Sequence, residues 1–416
     1  MKRLLAIVLM CAVLLSVTGC TSGSYISCNA DLWKSTDLME GFESQPKHTI
    51  LTLEFMGDSD YTDFSVRLLQ ECCTKGNILI SPLSVMCALT MTANGAAGET
   101  REQIEQVFGG YIWEINTWLS EYTVREREEM KLANAIWFTE DDRFAVKSNF
   151  LQVNADYYGA GIFSAPFDDS TLKSINNWVR ENTGGRIPEI LDGMNPEAVM
   201  YLVNALAFEA AWETACSEHP LRTQPFMLED GTVRRAEFMY CEEENYIESE
   251  LAAGFVKYYE GRDYAFVGLL PREGLTMEAF VASLSGEALS AMWASVEDTP
   301  VAVAIPVFEA EYGADLAGTL ADMGMTLAFD PENADFSFLG TFADGNISIS
   351  RVIHKTWIRV DAQGTSAAAA TVVEPTNAAA IPVEQKSVYL NRPFLYMIVD
   401  CETGIPIFIG IMMDPA

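Results

Sequence analysis

Histidine is nearly absent from this chain. Its 416 residues hold three, His48, His219 and His354, and no two are close in sequence. That leaves little for a histidine-rich metal site, and no metal or other cofactor is expected. Positive charge is also scarce. Lysine and arginine number 26 against 59 acidic residues, a formal charge of −33. Neither nucleic acid nor a heparin-like polyanion is therefore an expected partner, because binding phosphate or sulfate needs clustered cations. There is no C-x-x-C, no H-E-x-x-H, no Walker loop and no G-x-S-x-G elbow, which removes the commonest metalloprotease, nucleotide and hydrolase signatures.

Apolar residues make up 49 % and aromatics 11 %. That is enough to bury a core and to exclude general disorder. At the N-terminus Lys2 and Arg3 precede an apolar stretch, Leu4 to Leu15, followed by small residues up to Cys20. A basic end and an apolar run too short to span a bilayer read as a secretory signal. The last four residues, V17-T-G-C20, resemble a bacterial lipobox. That implies cleavage before Cys20, a lipid on its sulfur, and anchoring on the outer face of a bacterial membrane without a transmembrane helix. The expected organisation is a signal peptide over 1–19, a lipidated tether and linker over 20–60, and one large domain over 61–416. Seven cysteines besides Cys20 follow the signal. Their pairing cannot be read from sequence, although Cys87 and Cys401 sit in apolar runs and read as core thiols.

From Tyr61 the pattern is continuous, with no mid-chain linker and no repeat. Phe64, Leu68 and Leu69 predict a first helix. N77-I-L-I-S-P-L-S-V85 begins a second, with Ser81 as cap and Pro82 at the first helical position. Helical stretches are expected from Gly98, near 147–158, over 170–182 and over 315–323. M200-Y-L-V-N-A-L-A-F208 reads as a strand buried on both faces. Met130–Phe138, Tyr264–Pro271, Val301–Phe308, Ile349–Asp361, 393–400 and 405–412 are further strands. Strands and helices mix without strict alternation, which favours α+β.

Two S-x-x-K matches, Ser170–Lys173 and Ser44–Lys47, raise a serine hydrolase, but no S-D-N or K-T-G accompanies them. His354 lies in an apolar strand and reads as a buried histidine bonded to polar neighbours rather than as a base. Gly364 to Gln385 demands more explanation. Twenty-two residues between two strands exceed an ordinary turn. No residue from Thr365 to Val373 is bulky, charged or proline. With period two, Thr365, Ala367, Ala369 and Thr371 share one face. Such a segment can lie outside one state of the molecule and slide between strands in another without burying a charge, with Gly364 as a backbone pivot.

These motifs, taken in order, resemble the serpin family from about Tyr61 to Pro415: N77 to V85, T92-A-N-G-A-A-G-E-T100, I175-N-N-W-V-R-E-N-T-G-G-R-I-P-E-I-L191, L202-V-N-A-L-A-F-E-A-A-W212, I349 to T371, and N391-R-P-F-L-Y-M-I398. The resemblance implies an α+β fold with about nine helices around three β-sheets and an exposed reactive-centre loop over about 364–387. It implies no enzyme activity. Instead a protease cuts the loop, and the hinge inserts into the main sheet and traps the acyl-enzyme.

By the same resemblance Ser81, Ser84, Asn204 and His354 form a shutter beneath the strands that part, and Trp212 marks the breach where the hinge enters. Cys216 stands where phenylalanine is usual. Gly364, Thr365, Ser366, Ala367, Ala368, Ala369, Ala370 and Thr371 are the hinge, with Ser366 departing from the usual glutamate. The reactive bond falls at Ala378–Ala379, within 377–381. No lysine or arginine occurs from Val360 to Gln385, so a trypsin-like partner with an acidic pocket is disfavoured. Elastase-like or subtilisin-like serine proteases are expected, with a papain-like cysteine protease as a further candidate, and the inhibitor is expected to act as a monomer. A noninhibitory substrate-like or binding serpin, and a surface hydrolase, are the alternatives.

Overall fold

The computed structural model describes residues 35–45, 58–73, 76–123, 128–216, 220–343, 345–365 and 386–416. The signal peptide, Cys20, Ser366–Thr371 and Ala378–Ala379 lie outside the described residues.

The first element, β1 (Thr36–Asp37), lies within the stretch expected as the tether. It pairs with the edge of the large sheet, Leu38, Met39 and Phe42 pack against the core, and the Gln45 N–H donates to Asp156 Oδ1 at 2.8 Å. Three apolar residues in so short a stretch carry no period, so this attachment is not legible locally. Helix α1 (Asp58–Cys72) carries Asp58 and Asp60 in its first turn, where they complement the helix dipole. The run expected to begin the second helix divides. Ile78–Ile80 forms β2, and α2 (Pro82–Ala93) starts only after Ser81, whose side chain accepts from the Ser84 N–H. Every residue of α2 is buried, as its apolar composition all round requires. α3 (Gly98–Phe108) and α4 (Ile112–Thr123) follow.

β3 (Met130–Thr139) and β4 (Phe144–Val146) lead to α5 (Ser148–Tyr157), β5 (Gly161–Ala165) and α6 (Asp169–Asn182). Asp168 caps α6 by accepting from the Ser170 and Thr171 N–H groups, and its Ile175, Trp178 and Val179 join one face of the large sheet in a second core cluster. β6 (Met200–Phe208) is buried throughout, as its sequence demands, and β7 (Ala210–Ala211) extends it. The remainder runs β8 (Arg222–Met227), β9 (Val233–Glu248), β10 (Ala252–Tyr258), β11 (Tyr264–Pro271), α7 (Met277–Ser283), α8 (Gly286–Ala294), β12 (Glu297–Pro306), β13 (Phe308–Asp315), α9 (Ala317–Asp322), β14 (Gly340–Phe342), β15 (Arg351–Val360), β16 (Gly364–Thr365), β17 (Lys386–Tyr389), β18 (Phe394–Asp400) and β19 (Pro406–Met412).

The large sheet has the order β1-β5-β3-β6-β15-β13. The remaining major strands form the path β17-β12-β9-β10-β11-β18-β19-β2, with β8 on β9. In this nine-stranded sheet the sixteen-residue β9 pairs with β8 through its first half and with β10 through its last residues. Nine α-helices surround these sheets among the described residues, the α+β arrangement expected.

Candidate functional site

The site is built around β6 and β15, neighbouring strands of the large sheet. They run parallel, in register from Arg351 opposite Tyr201 to Ile358 opposite Phe208. β6 is an apolar run and β15 is mostly buried, so the buried polar side chains Asn204 and His354 must find partners. They find each other. His354 is the register partner of Asn204, and the capped start of α2 lies against both.

His354 Nε2 accepts from the Ser81 N–H at 3.2 Å. Its proton therefore sits on Nδ1, which donates to Asn204 Oδ1 at 2.5 Å. Ser84 Oγ lies 3.1 Å from Asn204 Oδ1 and 3.2 Å from the Ser81 carbonyl, with one proton to share between them. Asn204 Nδ2 has no partner. Burial drives the His354 pKa down to about 3, so the ring is neutral at ordinary pH. Among the described residues no serine hydroxyl is hydrogen-bonded to His354, so the cluster lacks the nucleophile–base contact of a hydrolase. The four residues expected to form the shutter are thus brought together.

At the end where β6 and β15 stop pairing, the chain reverses across Asp361–Gly364, and the Asp361 N–H donates to the Gly364 carbonyl at 2.9 Å. The returning strand is β16. Gly364 pairs with Ala211 and Thr365 with Ala210, antiparallel. Gly364 has φ +152°, and a Cβ there would sit 2.2 Å from the Ala210 carbonyl oxygen. Only glycine fits. The loop was expected to be exposed from Gly364 onward, but Gly364 and Thr365 are buried. They are held because Thr365 Oγ1 reaches the Tyr259 hydroxyl at 2.7 Å.

Trp212 organises this end. Its ring stacks on Tyr259 with centroids 4.4 Å apart and planes 15° from parallel. Its Nε1–H donates to the Asp361 carbonyl at 2.8 Å and its backbone N–H to the Gln363 carbonyl at 3.0 Å. The Cys216 N–H donates to the Ala362 carbonyl at 3.0 Å. Cys216, unusual by resemblance, is disulfide-bonded to Cys241 of β9.

Lys257 Nζ, 5.1 Å from the Trp212 ring centroid, is buried. It donates to Glu243 Oε1 at 2.6 Å and to the Thr214 carbonyl at 2.8 Å. Burial pushes the Glu243 carboxyl upward against the pull of Lys257.

Sequence reading found Trp212 but missed Tyr259, Lys257, Glu243 and Cys241. One signal was present: Lys257 is a lone charge in F255-V-K-Y-Y259, and a lysine inside an apolar strand needs a buried partner. Of the expected hinge, Gly364–Thr371, the residues Ser366–Thr371 are outside the described residues, as is the expected reactive bond Ala378–Ala379.

This geometry matches known proteins over most of the chain. The family described as Serpin (serine protease inhibitor) matches residues 59–415. A serpin-like protein of Thermococcus kodakarensis is 30% identical over 357 residues, covering 82% of this chain and 81% of that one. The leukocyte elastase inhibitor of Equus caballus is 29% identical over 378 residues, covering 85% and 98%. Among solved structures, the thermophilic serpin tengpin in its native state aligns with a TM-score of 0.86 at 41% identity, over 92% of this chain and all (100%) of that one. With the polar cluster at β6 and β15 and a glycine-pivoted segment docked at their end, the chain belongs to the serpin family.

Proposed function

We propose that this serpin is a suicide-substrate inhibitor of serine proteases of the elastase or subtilisin type. The observation that carries the reading is the pairing of Gly364 with Ala211 and Thr365 with Ala210. The segment has already turned back and begun a strand antiparallel to β6. Continued one for one, that register sets Thr371 opposite Asn204, Val373 opposite Leu202 and Pro375 opposite Met200, the first residue of β6. The stretch free of charge, proline and bulk, which ends at Val373, thus covers β6 from Phe208 back to Leu202.

Because β6 and β15 are parallel, a strand between them runs antiparallel to both. One parallel ladder is exchanged for two antiparallel ones, each slightly better per residue. Thr371 arrives on the face of Asn204, whose Nδ2 lacks a partner, and its hydroxyl oxygen can accept that bond.

The chemistry belongs to the target. The protease serine attacks the scissile carbonyl, the amine of the next residue leaves, and an ester joins the protease to the new carboxyl end. Insertion then carries the esterified end toward the far end of β6, and the distorted enzyme fails to hydrolyse the ester. The resemblance puts the cut at Ala378–Ala379, within 377–381. The small side chains there suit shallow pockets and offer nothing to an acidic one. The lipobox-like V17-T-G-C20 supports anchoring through Cys20 on the outer face of a bacterial membrane, which radiolabelled palmitate incorporation tests.

Mixing the full chain with pancreatic elastase and with subtilisin tests the function. A covalent complex that survives SDS supports it. Cleaved chain with fully active protease is the result of a substrate-like serpin and contradicts it.

A further inference from the structure

Three consecutive carbonyls of the turn that leads into Gly364 are held by one short segment from a distant part of the chain. The Trp212 Nε1–H donates to the Asp361 carbonyl, the Cys216 N–H to that of Ala362 and the Trp212 N–H to that of Gln363. Residues 212–216 are thus a strap laid along the turn, and the strap is tied down from its other side. The Glu213 N–H donates to the Tyr258 carbonyl, Lys257 Nζ donates to the Thr214 carbonyl, and Cys216 is bonded to Cys241. Lys257 and Tyr258 belong to β10 and Cys241 to β9, both in the nine-stranded sheet, whereas the turn follows β15 of the large sheet. The two hydrogen bonds can exchange partners as the strap moves. The disulfide cannot.

We propose that the Cys216–Cys241 bond is a redox brake on strand insertion, released by a small dithiol. Such a brake rests on the insertion reading above. For a strand to enter between β6 and β15, residues 361–363, just beyond β15, must part from residues 210–212, just beyond β6. While Cys216 is crosslinked to β9 the strap cannot follow the turn, so its bonds to the turn must break before the sheet opens. Once the crosslink is cut, the Cys216 end of the strap is held only by exchangeable contacts and moves with the turn. The reduced chain therefore opens its sheet faster than the oxidised one.

The bond is approachable from one side, since Cys241 is partly exposed and Cys216 is buried. A thiolate of the dithiol attacks the Cys241 sulfur. The S–S bond breaks, and the Cys216 sulfur leaves with the bonding pair and takes up a proton. The second thiol then displaces Cys241 from the mixed disulfide, so the dithiol ends as a cyclic disulfide and the protein as two thiols. Of the free cysteines among the described residues, Cys72 and Cys87 are buried and Cys73 and Cys401 partly so. Burial pushes all four thiols up, which leaves little thiolate to attack the bond from within.

Alkylation tests the redox step. The folded full chain, treated with dithiothreitol and then iodoacetamide, should carry label at Cys241 by peptide mass spectrometry. A Cys241 that takes label only after urea unfolds the chain overturns the switch. Uptake of a fluorescent peptide of sequence 365–373, which can fill the gap between β6 and β15, reads the brake without any protease. The reduced chain should incorporate it at least threefold faster than the oxidised chain, and reoxidation with diamide should restore the slow rate, which mere loss of structure would not. A chain carrying Cys216→Ala and Cys241→Ala should match the reduced rate whether or not dithiothreitol is present; should that variant not fold, the reduced native chain alone decides. Equal uptake in the two redox states overturns the brake and leaves insertion standing. No uptake in either state overturns the insertion reading, and the brake with it.

Discussion

Thr365 hydrogen-bonds the Tyr259 hydroxyl at 2.7 Å beneath the stacked ring of Trp212. The segment proposed as the hinge is therefore latched through Thr365 while β6 and β15 remain paired. Removing the latch should be measurable. Tyr259→Phe leaves the buried Thr365 hydroxyl without its partner, a loss of about 1–3 kcal/mol. The intact variant should melt below the native chain, and equal melting temperatures would refute the latch.

A charge at the same position should act on function. Thr365 is fully buried, and a guanidinium there costs several kcal/mol without a partner. On the proposed inhibitory mechanism, Thr365→Arg should keep the hinge out of the sheet and leave a chain that is cleaved as a substrate. Gel analysis after incubation with elastase should show cleaved chain and no covalent complex. Undiminished complex formation would count against the hinge assignment.

His354 gives a pH dependence of known sign. Its folded pKa is lowered to about 3 by burial, whereas an unfolded histidine titrates near 6.5. Above pH 6.5 neither state is protonated and the group is neutral for stability. As pH falls from 6.5 toward 3, only the unfolded chain takes up the proton, and stability is lost at about 1.4 kcal/mol per pH unit. His354→Gln removes this contribution. Between pH 6.5 and 5 the native chain should lose about 2 kcal/mol more than the variant, measured by urea melts at each pH. Parallel pH profiles would show that the ring is not held neutral.

The Cys216–Cys241 bond closes a loop of 25 residues, for which chain entropy gives about 3.5 kcal/mol. Because the Cys216 N–H also holds the Ala362 carbonyl, reduction should loosen the turn that leads into the hinge. Cys241→Ser should lower the urea midpoint of the intact chain. An unchanged midpoint would mean that the bond contributes nothing to the native state.

Much of this was legible locally. The buried run of β6, the polar residues inside β6 and β15 and the Ser81 cap are all read within a few neighbouring positions. What escaped was set by distance in the chain. Tyr259 meets Thr365 across 106 residues, and Lys257 meets Glu243 only because β9 and β10 pair as a hairpin. β9 itself, with its outward acidic residues, carries too weak an apolar alternation to be read. Residues 35–45 were read as a tether because an edge strand of two residues has no period. The docking of Gly364 and Thr365 is likewise a tertiary fact. The glycine signals a pivot, but the carbonyl of Ala210 that leaves no room for a side chain comes from a distant strand.

The central claim is that the intact chain stands short of its most stable arrangement and relaxes by gaining a strand. The direct measurement is the melting temperature of the chain before and after a single cut by elastase, with the scissile bond fixed by peptide mass spectrometry. The account predicts a cut within 377–381 and a nicked molecule that melts well above the intact one. A nicked molecule that melts at or below the temperature of the intact chain would contradict it.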